Sequence, residues 1–417
     1  MTRWYLAFAA FAAALAWFSG QPIERCWGTW AAIGYAAAAA LTVSVTGAAP
    51  QRRATAQTIA LGCAALGATV APLAWQAFAG LPSRAGEGPL TVVAQAGREL
   101  LRHGTPYLPA AGLNHVLAYD PYEPLMAVFG LPNAAGLTGW PASPRLWLTL
   151  AAAPGVYLAF RVPGAPPRQA LDRAALAIAS PVLALPLVTG GTDLPVIALL
   201  CAAVALTTPA GSSSRRTTLA ALAAGAACAL KAIAWPAVPV IAAMLAASQG
   251  RRTGARFAAT AVLAGVAAML VAAPAGLLAP DATAANAVLF PLGLTRHRTP
   301  AASPLPGHLL AAAGPAGQWG ALALLAVAAL AFARWLAVRP PRDTRAATVR
   351  LAVALTVACT LAPAARWGYY GYPLALLGWL WLSRRAASCS YSSERRVATP
   401  SASSVCAAGV GVAVAAD

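Results

Sequence analysis

A lone lysine, a tight arginine–histidine cluster and a few carboxylates are the residues of this sequence whose types and spacing could do chemistry. Glu87, Asp120 and Glu123 sit in one long polar stretch, with Asp120 and Glu123 inside Tyr-Asp-Pro-Tyr-Glu-Pro. Carboxylates so placed can act as a general base on a hydroxyl. A second polar stretch carries Arg296, His297 and Arg298 within three positions, then His308. The planar guanidinium fork of arginine suits phosphate oxygens. Lys231 is the single lysine and interrupts an apolar run of about thirty residues. An ionisable group at membrane depth is by default a functional candidate. Asp193, in Thr-Gly-Gly-Thr-Asp-Leu-Pro, stands at a helix mouth. Arg366 leads the aromatic run Trp367-Gly-Tyr-Tyr-Gly-Tyr-Pro. Tyr107 closes the stretch that begins at Glu87.

Each of these has a plainer reading. The acids can be solvated loop residues and caps. The arginines can snorkel to lipid headgroups. Asp193 reads first as the N-cap of the following helix. The aromatic run fits an interfacial belt, or else a platform for stacking a sugar. The seven cysteines form no CxxC pair and no Cys/His cluster, and four lie in apolar runs as small hydrophobes. No metal-ligand spacing and no cofactor motif is visible.

The elements that must position these residues are membrane helices. Of 417 residues, 59% are hydrophobic and only 10% charged, against about 25% charged in a soluble domain. That excludes a soluble enzyme, a disordered chain and a disulfide-rich secreted module. Apolar runs of the length a bilayer needs fall near 4–20, 28–47, 58–79, 144–160, 173–188, 193–208, 257–279, 317–337, 350–364 and 369–383. The segment 217–247 is broken by Lys231, Pro236 and Pro239 and reads as two short passes or a re-entrant hairpin, turning near Lys231. The expected fold is thus an all-α polytopic membrane protein of about 10–12 transmembrane helices. Four regions follow: N-terminal helices over 1–79, an outer loop over 80–143, a helical core over 144–383 that includes a second outer loop at 280–316, and a disordered cytoplasmic tail over 384–417. Leu90–Leu101 carries the apolar stripe of an amphipathic interfacial helix.

Charge gives the orientation. With the hairpin crossing twice, alternate segments hold 20 arginines on one side and eight on the other. Basic residues accumulate in cytoplasmic loops, so both termini are expected inside a multi-pass cell-membrane protein. The net charge of +18 is then a topology signal and needs no nucleic acid partner. The two long loops, with all four histidines, face outward.

The stretches Ala96-Gly-Arg-Glu-Leu-Leu-Arg-His-Gly-Thr-Pro-Tyr107, Tyr119–Pro124, Gly190–Pro195 and Ala229–Pro236, with 290–308, resemble the GT-C superfamily of polytopic glycosyltransferases, and among them glycosyltransferase family 87. That resemblance implies transfer of a sugar, mannose in that family, from a polyprenyl-phosphate carrier to a cell-envelope acceptor on the outer face. It implies partners in membrane lipids and a lipid-linked donor, and no cofactor. In that superfamily the catalytic acid is usually an Asp after the first core helix. The matching place here holds Glu87, so Asp120 is the alternative base, with Glu123 beside it. Lys231, Arg296, His297, Arg298, His308, Arg366, Tyr107 and Asp193 are then the expected substrate-binding set. Two rivals are a transporter or lipid flippase, marked by a midplane Lys231 with a partner acid, and a non-catalytic scaffold related to such enzymes.

Overall fold

A computed structural model describes residues 1–78, 88–208 and 213–397, with side chains described as far as Arg384. Glu87, one of the expected catalytic acids, lies outside the described residues. Regular structure among them is helical, apart from a single isolated bridge between Ala302 and Ala365. The fold is all-α.

Each expected apolar run forms a helix. They are α1 (Thr2–Phe18), α2 (Pro22–Ser44), α3 (Pro50–Phe78), α5 (Pro144–Arg161), α6 (Pro167–Ile178) with α7 (Pro181–Thr189), α8 (Leu194–Leu206), α9 (Ser214–Leu230), α10 (Ala237–Gln249), α11 (Arg251–Ala272), α12 (Pro315–Val338), α13 (Thr344–Leu361) and α14 (Gly371–Val397). Between α3 and α5 lies α4 (Gly88–His103). The helix α14 continues to Val397, beyond the expected end of its apolar run at 383.

Six of these helices are long and apolar enough to cross a membrane, or seven if α6 and α7 count as one span bent by 61°. Among the expected runs that do not reach that length, α8 is the most enclosed. At 1.5 Å per residue, the 13 residues of α8 reach only about 20 Å of a roughly 30 Å hydrocarbon core. Such a rod is tolerated where protein, not lipid, covers its ends. Eleven of its 13 residues are buried, so α8 is the centre of the bundle. At the other extreme, α12 is the most lipid-facing, with 11% of its span window buried.

Small residues let the helices approach. A Cβ at Gly34 would stand 2.7 Å from the Gly67 backbone, joining α2 to α3, and one at Gly225 would stand 2.5 Å from Ala261 O, joining α9 to α11. Close crossings of this kind replace the hydrophobic drive that lipid cannot supply.

The expected hairpin at Lys231 is present. The helix α9 ends at Leu230, Lys231 is extended (φ −159°, ψ 132°), Ala232–Ala234 make one tight turn, and α10 runs back. Ser213 and Gln249, at the far ends of the two arms, line one cavity, so the chain returns to the level it left.

The amphipathic helix α4 buries Leu90, Val92, Val93, Ala96 and Gly97. Its stripe packs on the turn Pro124–Gly130 of the same loop, where a Cβ on Gly97 would sit 2.3 Å from Gly130 C. The apolar face is therefore satisfied by protein.

Candidate active site

The hairpin tip carrying Lys231 meets a second tip, between α7 and α8. Gly190 ends α7 in the left-handed region (φ +84°), which glycine enters at no steric cost, and the turn delivers Thr192 and Asp193. Asp193 occupies the N-cap position of α8, but its side chain makes no capping bond. Instead its carboxylate pairs with the Lys231 ammonium and accepts the Tyr372 hydroxyl at 2.6 Å. The expected capping role is thus replaced by an ion pair. The buried cation is a stronger claim on the carboxylate than a backbone N–H that a neighbouring residue or turn can satisfy.

Three tyrosines surround the ammonium. Lys231 Nζ lies 4.8 Å from the ring centre of Tyr369, 5.4 Å from Tyr122 and 5.9 Å from Tyr372. These distances allow cation–π attraction. Tyr369 and Tyr372 come from the junction of α13 and α14, and Tyr122 from the first long loop. Three separate segments therefore converge on the charge that the hairpin tip carries.

The first loop brings its carboxylates to the same place. The Glu123 N–H donates to Leu230 O at 3.3 Å, which seats Glu123 over the Lys231 hairpin. Tyr122 is buried and hydrogen-bonds Thr192, itself 2% exposed. The Tyr107 hydroxyl donates to Tyr122 O at 2.8 Å. Asp120 is 4% exposed; its Oδ1 accepts the Tyr122 N–H at 3.0 Å, and its own N–H donates to Asn286 Oδ1 at 2.9 Å. Asn286 also donates to Ala282 O and Leu108 O.

Burial sets the proton affinities of these loop groups. It pushes Asp120 up to about 8, against the pull of the Tyr122 N–H, with Glu123 adding to the rise. It pushes Glu123 up to about 7. Burial also raises the Tyr107 hydroxyl, and Asp120 and Glu123 reinforce it. Tyr122 is pushed up to about 12 by burial, partly offset by Lys231. The two carboxyls differ in access. Asp120 is enclosed and tied into backbone, whereas Glu123 is half-buried and its carboxyl has no hydrogen-bond or ion-pair partner among the described residues. A half-buried carboxyl titrating near neutrality is what general-base work requires.

The second long loop adjoins this cluster through Asn286 and through Phe290, whose ring stacks on Tyr119 at 4.5 Å. His297 meets the other side of Tyr119 edge-on at 6.1 Å, and Arg296 and Arg298 flank it, both exposed. His308 lies farther along, its Nδ1 3.0 Å from Pro363 O. Arg366 is half-buried at the start of the turn that carries Tyr369. Ser303 bonds Ala365 O and Trp367 N, so this loop is sewn to the α13–α14 junction. Tyr107, Asp120, Glu123, Asp193 and Lys231 thus form one cluster, with His297 at its border. His308 and Arg366 sit beside it, tied to the α13–α14 connection. Among the described residues no group of three His, Cys, Asp or Glu could hold a metal ion.

No family model matches the chain, and no curated protein does. Among solved structures, it is similar to ArnT from Cupriavidus metallidurans in the apo state, with 19% identity and a TM-score of 0.44. The similarity covers 73% of this chain and 56% of that one, so the chain spans little more than half of that protein's length.

Five participants were not singled out from sequence: Tyr122, Thr192, Asn286, Tyr369 and Tyr372. Tyr122 and Thr192 flank residues that were, and Tyr369 and Tyr372 belong to the aromatic run after Arg366. Asn286 had one signal, as an isolated amide in Ala-Ala-Asn-Ala-Val-Leu.

Proposed function

We propose that this multi-pass membrane protein is a glycosyltransferase of the GT-C type, moving a sugar from a polyprenyl phosphate to a hydroxyl acceptor of the cell envelope on the outer face. The observation that carries the reading is the half-buried Glu123 carboxyl, raised to about 7 by burial, on a loop whose backbone is hydrogen-bonded to the Lys231 hairpin at Leu230, with an exposed arginine pair on the adjoining loop. Glu123 removes the proton from the acceptor hydroxyl. The acceptor oxygen forms its bond to the sugar C1 as the C1–phosphate oxygen bond breaks with inversion. The electron pair leaves with the polyprenyl phosphate, whose charge Arg296 and Arg298 stabilise, as cations do for phosphate in a transition state. Asp193 holds Lys231 in place, and Lys231 makes the floor of the site positive. Asp120 positions the loop, through Tyr122 on one side and Asn286 on the other. The donor sugar that the family resemblance implies is mannose.

Transfer from a labelled polyprenyl-phosphate sugar in native membranes tests this. Glu123→Gln should lower turnover by about 10²–10⁴-fold, the usual contribution of a general base, with the protein still folded and inserted. Full turnover in a folded, inserted Glu123→Gln protein removes the assignment.

A transporter is the second reading, because a buried Lys–Asp pair at two interrupted helices is also how transporters build substrate sites. Under it the labelled lipid or solute crosses the bilayer with its sugar–phosphate bond intact, and no labelled product appears.

A further inference from the structure

A second feature lies away from the Lys231 cluster. Helix α14 leaves that cluster at Tyr372, and from Leu374 to Leu382 its side forms one wall of a cavity of about 340 Å³ that none of the cluster's residues lines. That volume lies within the range of about 300–1,000 Å³ for ligand sites. The other walls are the start of α1 at Met1, Trp4 and Phe8, the end of α5 at Phe160, the bend between α6 and α7 at Ser180, and the middle of α8 at Cys201. No Asp, Glu, Lys or Arg lines it. The Ser180 hydroxyl is already committed to Ala177 O at 2.6 Å.

The cavity opens sideways. Trp4, Leu374 and Leu377 line it and remain 45%, 52% and 41% exposed. Interiors are otherwise packed with few voids larger than a water, and an apolar void of this kind does not hold water. In a bilayer the species that reaches it is a lipid chain. Its deeper rim is aromatic, with Trp4 and Trp381 in edge contact at 5.1 Å, as at a membrane–water boundary. At the level of that rim the chain is basic. Arg3, Arg161 and Arg384 each lie within two residues of a lining position and are exposed. Asp172, on the adjoining α6, is outnumbered by Arg168 and Arg173 on the same helix.

We infer that this cavity is a binding site for a membrane phospholipid of anionic headgroup, one acyl chain lying between α1, α8 and α14 and the phosphate held at the level of Arg3 and Arg384. Apolar walls below and guanidiniums above match the two ends of such a lipid and select against a zwitterionic headgroup of equal chain length. The site stands apart from the Lys231 cluster and does not depend on the function proposed above.

Native mass spectrometry of the full-length protein in detergent, titrated with dioleoyl phosphatidylglycerol or dioleoyl phosphatidylcholine, tests it. Gly378 lines the cavity, and nothing lies within 4 Å of a Cβ built there, so Gly378→Phe fills the space without a backbone clash. Phosphatidylglycerol should bind at about tenfold lower concentration than phosphatidylcholine, a difference of about 1.4 kcal/mol. Gly378→Phe should weaken both by tenfold or more. Arg3→Gln with Arg384→Gln, at exposed positions that leave the fold intact, should abolish the preference while retaining phosphatidylcholine binding. Equal binding of the two lipids by the native protein overturns the inference. So does unchanged binding in a folded Gly378→Phe protein, a preference that survives the arginine pair's removal, or displacement of phosphatidylglycerol by a polyprenyl phosphate at lower concentration.

Discussion

Asp193 and Lys231 should show strong energetic coupling, and its size follows from their surroundings. Their side chains are 16% and 12% exposed, so neither charge is well hydrated. Removing one partner of a buried pair costs about 3–5 kcal/mol, because the other charge is left uncompensated. Each survivor here keeps some help. Lys231 retains three tyrosine faces, worth about 0.5–2 kcal/mol together. Asp193 retains the Tyr372 hydroxyl, a charge-assisted bond of about 1.5–3 kcal/mol. Asp193→Asn should therefore destabilise by about 1–4 kcal/mol and Lys231→Met by about 1–3 kcal/mol. The double substitution removes both charges, leaves no orphan and should cost less than the sum of the singles by about 2–3 kcal/mol. Denaturant titration in mixed micelles, followed by tryptophan fluorescence, measures all four corners of the cycle. A coupling below about 0.5 kcal/mol would mean that the pair is open to water, and that Asp193 does not hold Lys231 in place.

Three further outcomes follow from the loop that covers the pair. If Glu123 is the base, transfer should rise with pH around its value of about 7, since only the ionised form accepts a proton; in Glu123→Gln that limb should disappear from the pH–rate profile. Asp120 makes stability depend on pH in the opposite sense. Its carboxyl is raised from 3.8 to about 8 in the folded chain, so between those values the folded state holds a proton that the unfolded state lacks. Its stabilising contribution is whole below pH 4 and fades as pH rises through 8, and Asp120→Asn should flatten the melting temperature over that window. Asn286→Ala leaves the buried Asp120 N–H without its acceptor, which costs about 1–3 kcal/mol, and tryptic cleavage within 290–308 should accelerate; unchanged cleavage would show that the two loops are held together elsewhere.

How far the sequence reveals this molecule differs between elements. Helix positions are legible, because a run of about 20 apolar residues has few other fates. The hairpin at Lys231 is legible too: Pro236, with no N–H to donate, stands between α9 and α10, and Pro239 is confined to the first turn of α10, where a missing N–H is tolerated. The partners of Lys231 are not. Asp193 precedes Lys231 by 38 residues, and its local setting before Leu-Pro reads as a cap. Only packing of the two tips shows that the carboxylate turns away from its own helix. The aromatic run after Arg366 could serve a lipid belt or a binding site, and the structure divides it. Trp367 remains 59% exposed, while Tyr372 is 1% exposed and bound to Asp193. Periodicity cannot make that division, since it depends on which neighbour arrives at each face. The stripe on α4 shows the same limit. A hydrophobic face announces that it must be covered, and whether lipid or Pro124–Gly130 covers it is decided by the close fit of Gly97 on Gly130.

The position of the Lys–Asp pair also bears on the choice between chemistry and transport. A carrier needs its charged site exposed to each side in turn. Here Lys231 and Asp193 cap two hairpins whose arms run away from the long loops, and the loops close over them through Tyr122, Glu123 and the Tyr369–Tyr372 turn. On the opposite side, α8 descends from Asp193 as an almost wholly buried, uncharged helix, with Leu194, Val196, Ile197, Leu200 and Val204 each 5% exposed or less. Opening a path to the other face would mean parting the helices that bury α8. Opening the loop side means separating tyrosine contacts and a few hydrogen bonds. The transferase proposed above needs access from the loop side alone, which asks only that those loop contacts part.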